Sequence, residues 1–206
     1  AYTTFGGAVF LDSYRTLNSE GTYDLVASSF NMNGGEISGN TAKGAGGLLY
    51  SNNGSRYLIQ GTITENTASS GVFYLATQSG GRVEAVMESG AEITRNSGLG
   101  VRVNNGSQFI MNGGKISDNG GIGVRVSGKT AHKNVQFIMN GGEITGNKSY
   151  GISYEINGQS QVALNGGKIA NNAGSQISAT GGTAQAAFEW VKLSSGVLQD
   201  NDKVVT

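Results

Sequence analysis

The chain has no cysteine, so it contains neither a disulfide nor a thiolate metal site. A cysteine-free composition fits many bacterial extracellular proteins. Charge of one sign is missing as well: 14 basic residues balance 14 acidic ones, and neither sign gathers into a block. That balance speaks against a phosphate-tracking nucleic-acid surface and against a polybasic membrane anchor. No apolar run approaches the roughly 20 residues of a membrane span, and no signal peptide is visible. Proline is absent beside 35 glycines in 206 residues, a composition that alone suggests disorder. Disordered chains lack β-branched and aromatic residues at fixed places, however, and here such residues recur.

What recurs is an eleven-residue rung, clearest in Phe109 to Asn119 (FIMNGGKISDN). Close copies run from Phe30 to Asn40, Phe137 to Asn147 and Val162 to Asn172; weaker ones are Tyr57 to Asn66, Val86 to Asn96 and Val191 to Asn201. A second strand follows each rung, as in Gly47-Leu48-Leu49-Tyr50, Gly71-Val72-Phe73-Tyr74 and Gly100-Val101-Arg102-Val103. The N-terminal Phe5-Gly6-Gly7-Ala8-Val9-Phe10 copies this second element, so the sequence opens in mid-unit. The expectation is one domain over residues 1–206, a fragment of a longer surface protein, because a solenoid usually begins with a polar cap.

The central aliphatic residues Ile37, Ile63, Ile93, Ile116, Ile144, Ile169 and Leu198 lie 26, 30, 23, 28, 25 and 29 residues apart. Neither element has helical apolar periodicity; both are short alternating runs bounded by glycine and asparagine, the pattern of strands between turns. A propeller needs about 40 residues per blade, whereas about 27 per unit suits one turn of a β-helix. The predicted fold is therefore an all-β, single-stranded parallel β-helix of about seven coils, each strand pairing with its equivalent in the next coil.

Stacked coils turn equivalent positions into columns. Aligned on the glycine, Ala8, Leu48, Val72, Val101, Val124 and Ile152 are predicted to point inward, as are Phe10, Tyr50, Tyr74, Val103, Val126 and Tyr154. The residues between them point outward, which makes Val9, Leu49 and Phe73 an apolar interaction surface on the first coils, unless the loop Leu11 to Ser29 covers it. The most regular column is Asn40, Asn66, Asn96, Asn119, Asn147, Asn172 and Asn201. Stacked amides bond to one another and to turn backbone, and asparagine tolerates left-handed conformations, so the column reads as a structural ladder. Gly-Gly before it permits a bend.

Phe30, Phe109 and Phe137 each open an F-x-x-N tetrapeptide ending at Asn33, Asn112 and Asn140, and Gly6-Gly7-Ala8-Val9 reads G-G-A-V. These signatures resemble the repeats of polymorphic outer-membrane proteins and related autotransporter passenger adhesins. More broadly they resemble the right-handed parallel β-helix of the pectate-lyase-like superfamily. The resemblance implies a right-handed coil and a bacterial surface protein, commonly an adhesin; it carries over no catalytic residue.

Catalytic chemistry finds little to work with. Asp118 and Asp200 share a column but stand about 14 to 15 Å apart at the usual strand spacing, too far for a carboxylate pair. Glu65, Arg95 and Asp118 read as a charge ladder, and Glu36, Thr62, Glu92, Lys115, Glu143, Lys168 and Val197 as a second outward column that sets register. A lyase would use Arg102 or Arg125 as base near calcium ligands, which their column does not supply. His132 sits in the loop Ser127 to Gln136 without a partner constellation, and no phosphate-binding glycine fingerprint occurs. No cofactor or metal site is expected. The favoured reading is a non-enzymatic adhesin or stalk, extracellular or on a bacterial surface, whose loops Leu11 to Ser29, Leu75 to Ala85, Ser127 to Gln136 and Ala179 to Trp190 face host protein or glycan. A polysaccharide lyase or hydrolase fragment and a polysaccharide-binding phage or cell-wall fibre are the alternatives.

Overall fold

The computed structural model describes residues 7–43, 47–77, 81–128, 135–155 and 160–180, with the strands Val191–Leu193 and Val204–Val205. Asn201, Asp200, Val197, Leu198 and His132 lie outside the described residues. The chain winds through three parallel sheets of eight, seven and six strands, here called sheets one, two and three. Sheet one runs from Val9–Asp12 through Leu49–Asn52, Phe73–Leu75, Val101–Asn104, Val124–Ser127, Ile152–Glu155 and Ile177–Thr180 to Val204–Val205. Sheet two begins at Ser29–Met32 and ends at Val191–Leu193; sheet three begins at Glu36–Ser38 and ends at Lys168–Ala170.

Each rung is two strands, not one. Gln108–Met111 and Lys115–Ser117 belong to different sheets, and the corner between them is Asn112-Gly113-Gly114. Glycine is required there: a Cβ on Gly114 would lie 2.4 Å from the Ala91 carbonyl oxygen of the coil below, and its φ is +78°. Sheet three stacks in five steps, and six coils carry a strand on every sheet. The expected seventh rung is described only at Val191–Leu193, where it still pairs with Gln161–Leu164.

The bore is filled by like residues on like positions. Ile63, Ile93, Ile116, Ile144 and Ile169 form one fully buried column, and Ile59, Met87, Met111, Met139 and Leu164 another. A third is aromatic: Phe30, Tyr57, Ala85, Phe109, Phe137 and Val162. Alanine at its third place leaves room for Phe73 from sheet one, whose ring lies edge-on to Tyr57 at 4.9 Å and to Phe109 at 6.2 Å. The aromatic contact is thereby kept across the small residue, and each such pair contributes about 0.5 to 1.5 kcal/mol beyond its buried area.

This placement corrects the register expected for the first coils. Leu49 pairs with Phe73, Phe73 with Val101, and Tyr74 with Arg102. The inward column is thus Val9, Leu49, Phe73, Val101, Val124, Ile152 and Ile177, and both Leu49 and Phe73 are 0% exposed. The predicted apolar surface of Val9, Leu49 and Phe73 does not exist. Phe10 and Tyr74, expected inside, take the outward phase, one residue along, while Tyr50 in the same register column is buried as expected, 4% exposed. The loop Leu11 to Ser29 forms an antiparallel hairpin, Tyr14–Leu17 with Tyr23–Val26, instead of a cover for that strip. The glycine alignment failed because Val72 and Leu48, not Gly71 and Gly47, occupy the column of Gly100, Gly123 and Gly151.

The asparagine ladder is present from Asn40 to Asn172. In Asn66, Asn96, Asn119 and Asn147 both the backbone N–H and Nδ2 donate to the Oδ1 of the next asparagine, at 2.9 to 3.2 Å. Nδ2 also donates to the isoleucine carbonyl of the coil before, as Asn119 does to Ile93 at 2.9 Å. One side chain therefore ties three coils, in a buried place where unpaired groups would be costly. The left-handed residue is not the ladder asparagine but the one before it: Gly39, Glu65, Arg95, Asp118, Gly146 and Asn171 have φ between 52° and 66°.

Among the described residues the last ladder asparagine, Asn172, has a glutamine as its acceptor. Its N–H and Nδ2 donate to Gln176 Oε1, at 3.4 and 2.8 Å, so a glutamine four residues on supplies the acceptor that another asparagine would have offered. Gln176 stands in the column of Gly151. There glycine is needed in earlier coils, since a Cβ on Gly151 would come within 2.7 Å of Asn172 Nδ2.

Candidate recognition surface

Three kinds of outward column cover the rod, and they differ in how well their own neighbours satisfy them. On sheet three, Glu92, Lys115, Glu143 and Lys168 face one another in register with alternating sign, and at the corner beyond, Arg95 Nε lies 3.7 Å from Glu65. Opposite charges in register stabilise the pairing modestly and specify it.

Sheet two is flanked by two amide ladders that the sequence reading did not identify. Gln108 donates to Gln136 at 2.9 Å, and Gln136 to Gln161 at 2.8 Å. Along the Asn-Gly-Gly corner, Asn165 donates to Asn140, Asn140 to Asn112 and Asn112 to Glu88, at 2.9 to 3.0 Å. The signal was available in the repeated Q-F-I-M-N of residues 108–112 and 136–140.

Sheet one carries the third kind: Phe10, Tyr50, Tyr74, Arg102, Arg125, Ser153 and Ser178, in register. Phe10 stacks on Tyr50 with centroids 5.7 Å apart, and Tyr50 meets Tyr74 edge-on at 5.3 Å. The guanidinium of Arg102 lies 4.9 Å over the Tyr74 ring, a cation–π contact. Asn104 Nδ2 fixes the far end of that ring by donating to Tyr74 Oη at 3.1 Å. Phe10 is 45% exposed, while Tyr74, Arg102 and Arg125 are half-buried. Arg125 reaches Glu155 at 3.9 Å. The hairpin that springs from the first strand adds exposed Tyr14, Leu17 and Tyr23 nearby in the chain, and Leu25 sits over Gly54 and Gly81, where a Cβ would collide with it.

Inner tyrosines behave differently. Tyr57 Oη donates to the Tyr50 carbonyl at 2.8 Å and Tyr154 Oη to that of Ser160 at 2.6 Å. Burial raises the Tyr57 phenol well above its ordinary range and the Tyr154 phenol to about 12. These hydroxyls stay neutral and structural.

A shallow groove of about 490 Å³ follows the ladder corner, lined by Thr41, Ala42, Lys43, Thr67, Ala68 and Ser97 among others. Among the described residues no group of three or more His, Asp or Glu side chains is placed to hold a metal ion. Of the sequence-predicted residues, the structure gathers the six described asparagines into the ladder, buries Leu49 and Phe73 with Val9 half-buried against the core, and puts Arg102 and Arg125 side by side.

No curated protein and no solved structure matches the chain significantly. The family model described as the right-handed β-helix region matches residues 26–190. That span covers every coil strand from Ser29–Met32 to Ile177–Thr180, leaving out the first strand, the hairpin up to residue 25 and the strands Val191–Leu193 and Val204–Val205, and the chain belongs to the right-handed β-helix family.

Proposed function

We propose that this chain is a non-enzymatic module of an extracellular or bacterial-surface adhesin, a rigid rod that presents the outer column of sheet one to glycan. The supporting observation is the aromatic and cationic run Phe10, Tyr50, Tyr74 and Arg102, pinned on a parallel sheet by ring contacts. The exposed Phe10 and half-buried Tyr74 rings, supported by the buried Tyr50 between them, are suited to stacking on the apolar faces of sugars, and their two side-chain torsions lose little entropy on binding. The F-x-x-N and G-G-A-V resemblance to bacterial passenger adhesins points the same way. Rigidity comes from the buried ladder, which leaves the outer column free to differ from coil to coil.

The test is binding of the chain to an array of glycans and extracellular-matrix proteins, with the glycan spots checked for degradation. Saturable binding to glycan spots that remain intact is the expected result. Binding to matrix proteins alone would replace glycan with protein as the partner, and degraded spots would make the chain a polysaccharide-cleaving enzyme.

A further inference from the structure

Every outward column but one obeys the rule that register-paired charges are opposite. Arg56 faces Glu84, and Lys115 lies between Glu92 and Glu143. Among the described residues, Arg102 against Arg125 is the exception, the one pair of like charges in direct register. Like charges directly opposite on neighbouring strands destabilise the pairing. One carboxylate, Glu155, lies within ion-pair distance of Arg125, while Arg102 rests on the Tyr74 ring. The Nε atoms of both arginines are buried without a hydrogen-bond partner, so neither guanidinium is fully satisfied by the column around it. A sequence that balances its charges elsewhere and leaves two cations adjacent here has a local inconsistency of the kind found at functional sites.

We infer that Arg102 and Arg125 form an anion subsite beside the Tyr74 ring, and that the ligand of this surface is an acidic glycan, carrying carboxylate or sulfate groups. The inference rests on the glycan reading above and deepens it. A guanidinium binds a carboxylate or sulfate oxygen pair through parallel N–H donors. The ring edge next to it would take the sugar face of the same or the neighbouring residue, and two arginines spaced by one coil, about 4.8 Å, suit acid groups on adjacent units of a linear chain. An anion bound between them would offset the repulsion between the two guanidiniums.

The experiment is calorimetric titration of the whole chain with oligomannuronate, which carries a carboxylate on every unit, as the carboxylate probe, heparin oligosaccharides as the sulfate probe, neutral cello-oligosaccharides, and poly-glutamate. It is repeated with Arg102→Gln, Arg125→Gln, Arg102→Lys and, as a control cation on another column, Lys148→Gln. At least one acidic oligosaccharide should bind more tightly than the neutral ones, and either glutamine variant should weaken it by about tenfold or more, the loss of one charge-assisted contact. Arg102→Lys should retain part of the affinity, and Lys148→Gln all of it. Both glutamine variants should unfold at the same or a higher denaturant midpoint, because the repulsion is gone. Neutral oligosaccharides binding as well as acidic ones, with no dependence on either arginine, would overturn the acidic subsite and leave the glycan reading standing. No binding of any saccharide would overturn both. Equal binding of poly-glutamate would make the site one for acidic peptide, and an equal loss in Lys148→Gln would reduce it to net charge.

Discussion

The buried asparagine ladder and the outer column of sheet one run along the same rod and do opposite things with the same repeat. The ladder repeats one residue from Asn40 to Asn172, and each amide is satisfied by its neighbours in the stack. The outer column passes from Phe10 and two tyrosines through two arginines to Ser153 and Ser178, and it keeps two like charges in contact. A column that stays constant along a solenoid is holding the coils together, since each member sees the same surroundings. An exposed column that changes from coil to coil gains nothing from repetition, which is why the proposed ligand is assigned to the outer column of sheet one.

The sharpest way to break this division is at Phe73. Had it stood in the outward column, Phe73→Ala would alter stability by no more than about 0.5 kcal/mol. Packed between Tyr57 and Phe109 over Ala85, it should cost about 3 to 5 kcal/mol, the loss of a buried aromatic and the cavity it leaves. Chemical denaturation reads the difference directly. A smaller effect is expected from alkali. Burial holds the Tyr154 phenol neutral to about pH 12 in the folded chain, against about 10 for a free phenol. Stability is therefore complete below pH 10 and declines as pH rises from about 10 to about 12, and Tyr154→Phe should flatten that decline.

Asn119→Ala should cost about 1 to 3 kcal/mol, because the backbone N–H and Nδ2 of Asn96 lose their acceptor and the Ile93 carbonyl loses a donor in a dry interior. Asn140→Ala removes a similar amide stack on the surface, where water replaces the lost bonds, and should change the midpoint by less than about 0.5 kcal/mol. If the two variants fell together, burial would not be what separates the ladders.

Much of this was legible in the sequence. Strand periodicity, the number of residues per coil and the seven recurring asparagines specify a parallel solenoid with a ladder, and they do so because a stack repeats its local physics in every coil. Glycine was the misleading marker. A Cβ on Gly100, Gly123 or Gly151 would come within 2.7 Å of a carbonyl oxygen of the next coil, and one on Gly47 would likewise strike the Gly71 carbonyl oxygen. One kind of close approach thus put the same letter at positions one residue apart in register, and the first coils were read in the wrong phase. The pairing of small Ala85 with large Phe73 joins different sheets, so no comparison within a single column reveals it. The proposed recognition surface was missed for the same reason: Phe10 and Tyr74 were counted as core along with the buried Tyr50, although Arg102 and Arg125 were already assigned outside.

The most direct test of the division between holding and recognition is to take Asn119→Ala and Arg102→Gln through the same two assays, denaturant unfolding and acidic-oligosaccharide binding under conditions where both are folded. The account predicts a crossed result: Asn119→Ala loses stability and keeps its affinity, while Arg102→Gln keeps stability and loses about tenfold or more in affinity. Loss of both properties in both variants would contradict it, because the column that builds the rod and the column that reads a ligand would then be one system.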